Sequence, residues 1–172
     1  MNQPLLKLNL GCGNKRKEGF LGVDLYPCSA VDRIADLNGD LPFHDNSVIE
    51  IYMDNVIEHI PDLVKLFKEM HRICCNGAKI RIITPHFSSL SSWIDPTHVH
   101  HLSYFSMDHF EKISVAHYTG GGFKVTSRKL SFGGIMGNIG RLIFWISPKN
   151  YEKNWCFTFR PGTLTFDISV IK

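Results

Sequence analysis

The stretch Leu8-Asn9-Leu10-Gly11-Cys12-Gly13, followed by an apolar run that ends in Asp24, constrains this chain more than any other feature. Lys7 to Leu10 alternates into an apolar run and halts at Gly-x-Gly, the pattern of a buried strand entering a tight turn. Glycine there lets backbone approach a neighbour closely. The second run, Phe20-Leu21-Gly22-Val23, ends in the carboxylate of Asp24. An acid at a strand tip beside a glycine turn is placed to accept hydrogen bonds from a ribose diol. The pattern asks for a ligand that contains a nucleoside.

The turn also excludes ligands. Gly11-Cys12-Gly13 continues as Asn14-Lys15-Arg16, so it is neither Gly-x-Gly-x-x-Gly nor a P-loop. Gly11 to Asp24 is a step of 13 positions, against about 20 in a dinucleotide fingerprint. No helical period fits between them. A dinucleotide site holds its pyrophosphate on that helix's N-terminus, which argues against NAD and FAD. A ligand with a ribose and no phosphates fits, and S-adenosylmethionine has that composition.

Downstream, apolar runs alternate with turn residues. Leu6 to Leu10 and Leu21 to Asp24 read as strands, Val31 to Ala35 as a short third, and Val48 to Met53 as a fourth ending at Asp54-Asn55. Pro61-Asp62 opens a helix with Asp62 as N-cap. Leu63, Leu66, Phe67, Met70, Ile73 and Cys74 keep helical spacing until Asn76-Gly77 stops it. Lys79 to Thr84 is a fifth strand, ended by Pro85. Strands this continuously apolar mean a parallel sheet covered by helices. From His86 to Tyr104 the chain is polar, rich in histidine and aperiodic; a loop that long is usually functional. Met107 to Tyr118 reads as a helix capped by Ser106 and broken at Gly120-Gly121-Gly122. Phe123 to Phe132 is a strand and Ile135 to Ile146 an apolar helix. Thr163 to Ile171 is a last strand with antiparallel pairing.

Composition narrows the setting. At 172 residues the chain is expected to be one domain, 1–172, with a cofactor half at 1–86 and an acceptor half at 87–172. Its net charge of +3 and one short basic run, Lys15-Arg16-Lys17, are too little to imply nucleic acid. No apolar run reaches a membrane span, and no long apolar stretch opens the chain. Five irregularly spaced cysteines make neither a disulfide framework nor a zinc motif. A reducing, cytoplasmic setting is expected.

These residues resemble the class I S-adenosylmethionine-dependent methyltransferases. The matching pieces are Leu8 to Gly13, Gly22-Val23-Asp24, Asp36-Leu37, Leu41-Pro42-Phe43, and Asp45 to Val48 through Val56 to Ile60. Met70 to Ile73, Gly77-Ala78-Lys79 and Thr84-Pro85-His86 complete the series over Leu6 to His86, half the chain. Asp95-Pro96-Thr97-His98 with Tyr104-Phe105 looks like a small microbial subgroup with a shortened glycine loop, whose substrates are mostly unassigned. The resemblance implies a doubly wound, Rossmann-like α/β fold of seven strands, order 3-2-1-4-5-7-6, with strand 7 antiparallel and the first helix reduced. It implies that Gly11, Cys12 and Gly13 face the methionine part of S-adenosylmethionine and that Asp24 holds the ribose, with Leu25 flanking the adenine. Asp36 and Leu37 would sit at the adenine, and Asp54 and Asn55 would border the sulfonium. Cys74-Cys75-Asn76-Gly77 stands where the family has Leu-x-Pro-Gly. With the first helix gone, Lys15 or Arg16 is left to meet the amino-acid end.

Methyl transfer is an in-line displacement that needs alignment and, for an O–H or N–H acceptor, loss of a proton. The expected acceptor is a small molecule, sugar- or lipid-linked, methylated on O or N. A cofactor-binding protein without turnover is the rival reading. Base candidates cluster at the C-terminal strand ends, where doubly wound folds bind ligands. They are Glu58, His59, His86, Asp95, His98, His100 and His101, of which His98, His86 and Glu58 are placed in the catalytic set. Asp95, His98, His100 and His101 match no standard zinc spacing, so no metal is assigned. The Ile135–Ile146 helix is read as a partial lid, with a homodimer contact through 135–146 or a lipid-facing surface as alternatives.

Overall fold

Apolar strands that alternate with loops and helices close here into one seven-stranded sheet. A computed structural model describes residues 5–111 and 120–172. Its strands are β1 (Leu6–Leu10), β2 (Leu21–Asp24), β3 (Arg33–Ile34), β4 (Val48–Asp54), β5 (Cys74–Pro85), β6 (Phe123–Leu130) and β7 (Thr163–Val170). The helices are α1 (Leu63–Ile73), α2 (Asp108–Glu111), α3 (Gly134–Ile146) and α4 (Pro148–Asn154). The sheet order is β3-β2-β1-β4-β5-β7-β6. β1 pairs in parallel with β2 and β4, and β4 with β5, while β7 runs antiparallel between β5 and β6. Order and polarity are those the resemblance implies. The step from Leu10 to Leu21 holds turns and no helix, so the first helix is reduced as expected.

One face of the sheet forms the core, whereas on the other Lys7 pairs with Glu50 and Arg81 with Asp167, so the central strands alternate rather than staying continuously apolar as expected. Leu8, Leu10, Ile51, Met53 and Ile82 are fully buried, each worth about 1.5–3 kcal/mol against exposure. Along β7, Leu164, Phe166, Ile168 and Val170 point inward on alternate residues. Asp62 caps α1 by accepting from the Lys65 N–H at 2.9 Å, and Leu66, Phe67, Met70 and Ile73 form its buried stripe. Phe67 stacks on Phe110 with ring centres 3.7 Å apart.

Several boundaries differ from the sequence reading, among them the fifth strand, which runs Cys74–Pro85 rather than Lys79 to Thr84. α1 ends at Ile73, because Asn46 and Ser47 donate to the Arg72 and Ile73 carbonyls and draw the chain into the sheet. Gly77, at φ +79°, therefore sits in the irregular start of β5, where the β4–β5 register shifts, and is not a helix stop. The third strand shrinks to Arg33–Ile34 at the sheet edge, and β6 stops at Leu130. The helix expected over Met107 to Tyr118 is described only as Asp108–Glu111; its remainder lies outside the described residues. α4 was not anticipated, although Ser147 accepts from the Asn150 N–H and Pro148 opens the helix, a local start signal.

Arg72 ties the cofactor-side loop to α1. Its guanidinium donates to the Leu41 and Phe43 carbonyls at 3.0 and 2.9 Å and to both Glu69 oxygens at 2.9 and 2.8 Å. Hydrogen bonds from Arg72 hold the Glu69 carboxyl below its ordinary range. No helix among the described residues is long and apolar enough to cross a membrane.

Candidate active site

The glycine turn is built by backbone packing. Gly11 and Gly13 sit at φ +67° and +48°, a region that L side chains rarely adopt. A Cβ on Gly11 would lie 2.4 Å from Val56 Cγ2, so the residue approached at that point is Val56. The Gly13 N–H donates to Asp24 Oδ2 at 2.8 Å, and the Tyr26 N–H donates to Oδ1 at 3.2 Å. Asp24 is thus held at a fixed angle on the tip of β2 by two main-chain donors. Burial, then the Asp24 charge, push the Cys12 thiol up. It stays neutral and bonds the Ala30 carbonyl, as a packing residue does.

Two adjoining cavities share Gly11. One is lined by Asp24, Leu25, Asp36, Leu37 and Asn55, together with Tyr26, Asn38 and His59. The other is lined by Cys12, Asp54, Lys15, Asn9 and Tyr52. Every predicted cofactor residue therefore lies on one cavity or the other except Gly13, which acts through Asp24. Asp36 Oδ1 accepts from both the N–H and the side-chain nitrogen of Asn38. Asn55, at φ +55°, donates from Nδ2 to Asp54 Oδ1. Lys15 Nζ reaches Asp54 Oδ2 at 3.5 Å across the second cavity. Arg16 pairs instead with Asp32, and Lys17 lies over the Tyr52 ring.

The sequence reading missed Asn9, Tyr52, Tyr26 and Asn38. Asn9 is buried and donates from Nδ2 to the Lys15 carbonyl at 2.9 Å, closing the loop that replaces the first helix. An asparagine inside an apolar strand was the signal that could have found it, because a buried amide needs partners.

The base candidates do not converge as one group. His86 is fully buried; its Nδ1 meets Ser88 Oγ at 2.9 Å and its Nε2 meets Glu152 Oε1 at 3.0 Å. With both nitrogens committed, the ring braces the loop to α4. His100 Nε2 meets the Pro61 carbonyl, and His101 stacks on Trp93 while its Nδ1 meets Ser92 Oγ. His98 leaves that set and joins Glu58 and His59. Its Nε2 lies 4.0 Å from Glu58 Oε1 and 3.9 Å from Asp95 Oδ2. Burial raises the Glu58 carboxyl above its ordinary value, opposed in part by backbone hydrogen bonding and by the Thr84 hydroxyl. The Glu58 carbonyl accepts from the Val99 and His100 N–H groups, which lays the histidine loop over the end of β4. His59 lines the first cavity, so this cluster stands on its wall.

Residues 8–82 match the family described as a methyltransferase domain. An S-adenosylmethionine-dependent methyltransferase from Archaeoglobus fulgidus is similar at 19% identity and TM-score 0.65, covering 96% of this chain and 86% of that one. One from Mesorhizobium loti is similar at 16% identity and TM-score 0.60, over 96% and 91% of the two chains. A Haemonchus contortus phosphoethanolamine N-methyltransferase, solved with S-adenosylmethionine, is similar at 15% identity and TM-score 0.56, over 99% of this chain and 49% of that one. No curated protein matches the sequence.

Proposed function

We propose that the chain is a class I S-adenosylmethionine-dependent methyltransferase and that it methylates an oxygen or nitrogen of a small-molecule acceptor, sugar- or lipid-linked. One observation carries the reading most. The cavity that joins Asp24, Asp36 and Leu37 at the C-terminal strand ends opens beside the Glu58–His98 cluster. Asp24 takes the ribose hydroxyls, Asp36 and Leu37 the adenine, and Asp54 with Asn55 borders the sulfonium. Gly11, Cys12 and Lys15 flank the methionine end. The acceptor approaches from the 87–172 side, loses its proton at the cluster, and its lone pair attacks the methyl carbon. The carbon–sulfur bond breaks and S-adenosylhomocysteine leaves. Binding fixes donor and acceptor in line, which is where the rate gain of such a displacement arises.

The exposed apolar residues of α3 support a lid over the acceptor, or a homodimer contact in its place. The free cysteines support a cytoplasmic setting. Calorimetry with S-adenosylmethionine and S-adenosylhomocysteine tests the cofactor site. Asp24→Ala removes a charged acceptor of two ribose hydrogen bonds, worth about 1.5–3 kcal/mol each, so affinity should fall at least about 100-fold. Unchanged affinity would remove Asp24 from the ribose. Binding of both compounds, with no methylation across a panel of sugar- and lipid-linked metabolites, would favour a protein without turnover.

A further inference from the structure

Glu58, His59 and His98 offer one ligand atom each, all within 4.8 Å of one another. Glu58 is 1% exposed. Its Oε2 accepts from Thr84 Oγ1 at 3.0 Å, while Oε1 has no donor among the described residues. A buried carboxylate oxygen without a partner demands an explanation. What it meets is His98 Nε2, at 4.0 Å.

The hydrogen bonds around the cluster decide where the ring protons are. His98 Nδ1 lies 3.1 Å from the Ser92 carbonyl, which can only accept, so Nδ1 carries the proton and Nε2 is bare. Thr97 Oγ1 donates to Asp95 Oδ1 at 2.6 Å, so it accepts from His59 Nδ1 at 3.0 Å and leaves His59 Nε2 bare. A partner on the far nitrogen fixes ring and tautomer, as it does for metal-bound histidines. A bare imidazole nitrogen and a bare carboxylate oxygen face each other, both buried, at 4.0 Å. A shared proton would draw them to about 2.7–2.9 Å. An ion bonded at about 2.0–2.2 Å sets its ligand atoms about 3–4.4 Å apart, a range that includes the 4.0 Å between Glu58 and His98.

We propose that Glu58, His59 and His98 bind a divalent transition-metal ion on the wall of the nucleoside cavity. Two imidazoles and one carboxylate suit zinc, iron or manganese and leave coordination positions open. Asp95 Oδ2, 3.9 Å from His98 Nε2 and half-exposed, stands by as a fourth ligand. An open position takes an oxygen of the acceptor. Coordination lowers the pKa of a bound hydroxyl, whose proton then goes to solvent before the methyl arrives. That role rests on the methyltransferase reading; the binding of the ion does not.

The test uses full-length protein without a histidine tag, stripped with chelator and titrated with Zn²⁺ and with Co²⁺. One ion per chain is expected, with visible ligand-field bands for Co²⁺. Glu58→Gln and His98→Ala should each weaken binding at least tenfold, with circular dichroism confirming the fold. His101→Ala should bind as wild type. No stoichiometric binding, or equal loss in His101→Ala, overturns the site. S-adenosylmethionine calorimetry on the same samples separates the two readings. Cofactor binding without metal sinks only the metal site, and metal binding without the cofactor sinks only the methyltransferase assignment.

Discussion

The two halves of this molecule hold their functional residues by different means. On the cofactor side, main-chain groups close in sequence do the positioning. Gly13 anchors one Asp24 oxygen across 11 positions, and the Tyr26 N–H holds the other across two. On the acceptor side, side chains far apart do it. His86 meets Glu152 across 66 positions, and Ser88 Oγ meets the Cys156 carbonyl across 68. The difference teaches why half of the site can be read from a sequence and half cannot. A turn declares itself through its glycines, whereas a brace between distant side chains has no local signature.

The largest expected effect breaks the cofactor side alone. Gly11→Ala places a Cβ 2.4 Å from Val56 at φ +67°. The left-handed conformation costs about 1–2 kcal/mol and the overpacking about 1–3 more. Chemical denaturation should show a loss of about 2–5 kcal/mol, and any folded fraction should have lost cofactor affinity. Near-wild-type affinity and stability would mean that the turn yields, and that backbone packing does not set the site.

A smaller effect probes the opposite side. Glu152 accepts from the Tyr104 N–H at 2.6 Å as well as pairing with His86. Glu152→Ala strands both partners, at about 1–3 kcal/mol for each unsatisfied group. Thermal melting should move down while cofactor affinity stays within about twofold, since Glu152 lines neither cofactor cavity. A parallel fall in cofactor affinity would show that the halves are coupled.

The smallest effect concerns α3. Trp145 is 81% exposed, so Trp145→Ser should change stability by less than about 0.5 kcal/mol. If α3 is a lid, KM for the acceptor should rise with stability unchanged. If it is a homodimer contact, the sedimentation coefficient should fall instead.

Legibility follows the same division. The buried faces of α1 and β7 and the acid Asp24 were readable from period and strand-end position, whereas the sheet order and the cavity residues Leu25, Asp36, Leu37, Asp54 and Asn55 came with the family resemblance. Glu58 and His98 were named as candidates, but their meeting with His59 was not foreseen. The loop spacing grouped His98 with His100 and His101, which the fold sends to Pro61, Ser92 and Trp93. His86 looked like a base and is a buried brace. Asn9 was hidden in an apolar run, and α4 in a Ser-Pro signal that was passed over.

The sequence by itself determined the glycine turn, the acid at the end of the second strand and the alternation of strands and helices. Each depends on backbone sterics or on hydrophobic period, which act over a few residues. Tertiary structure alone decided which histidines approach Glu58 and which tautomer each adopts. Those outcomes depend on Ser92, Thr97 and the Glu58 carbonyl, partners that only the closed sheet brings within reach.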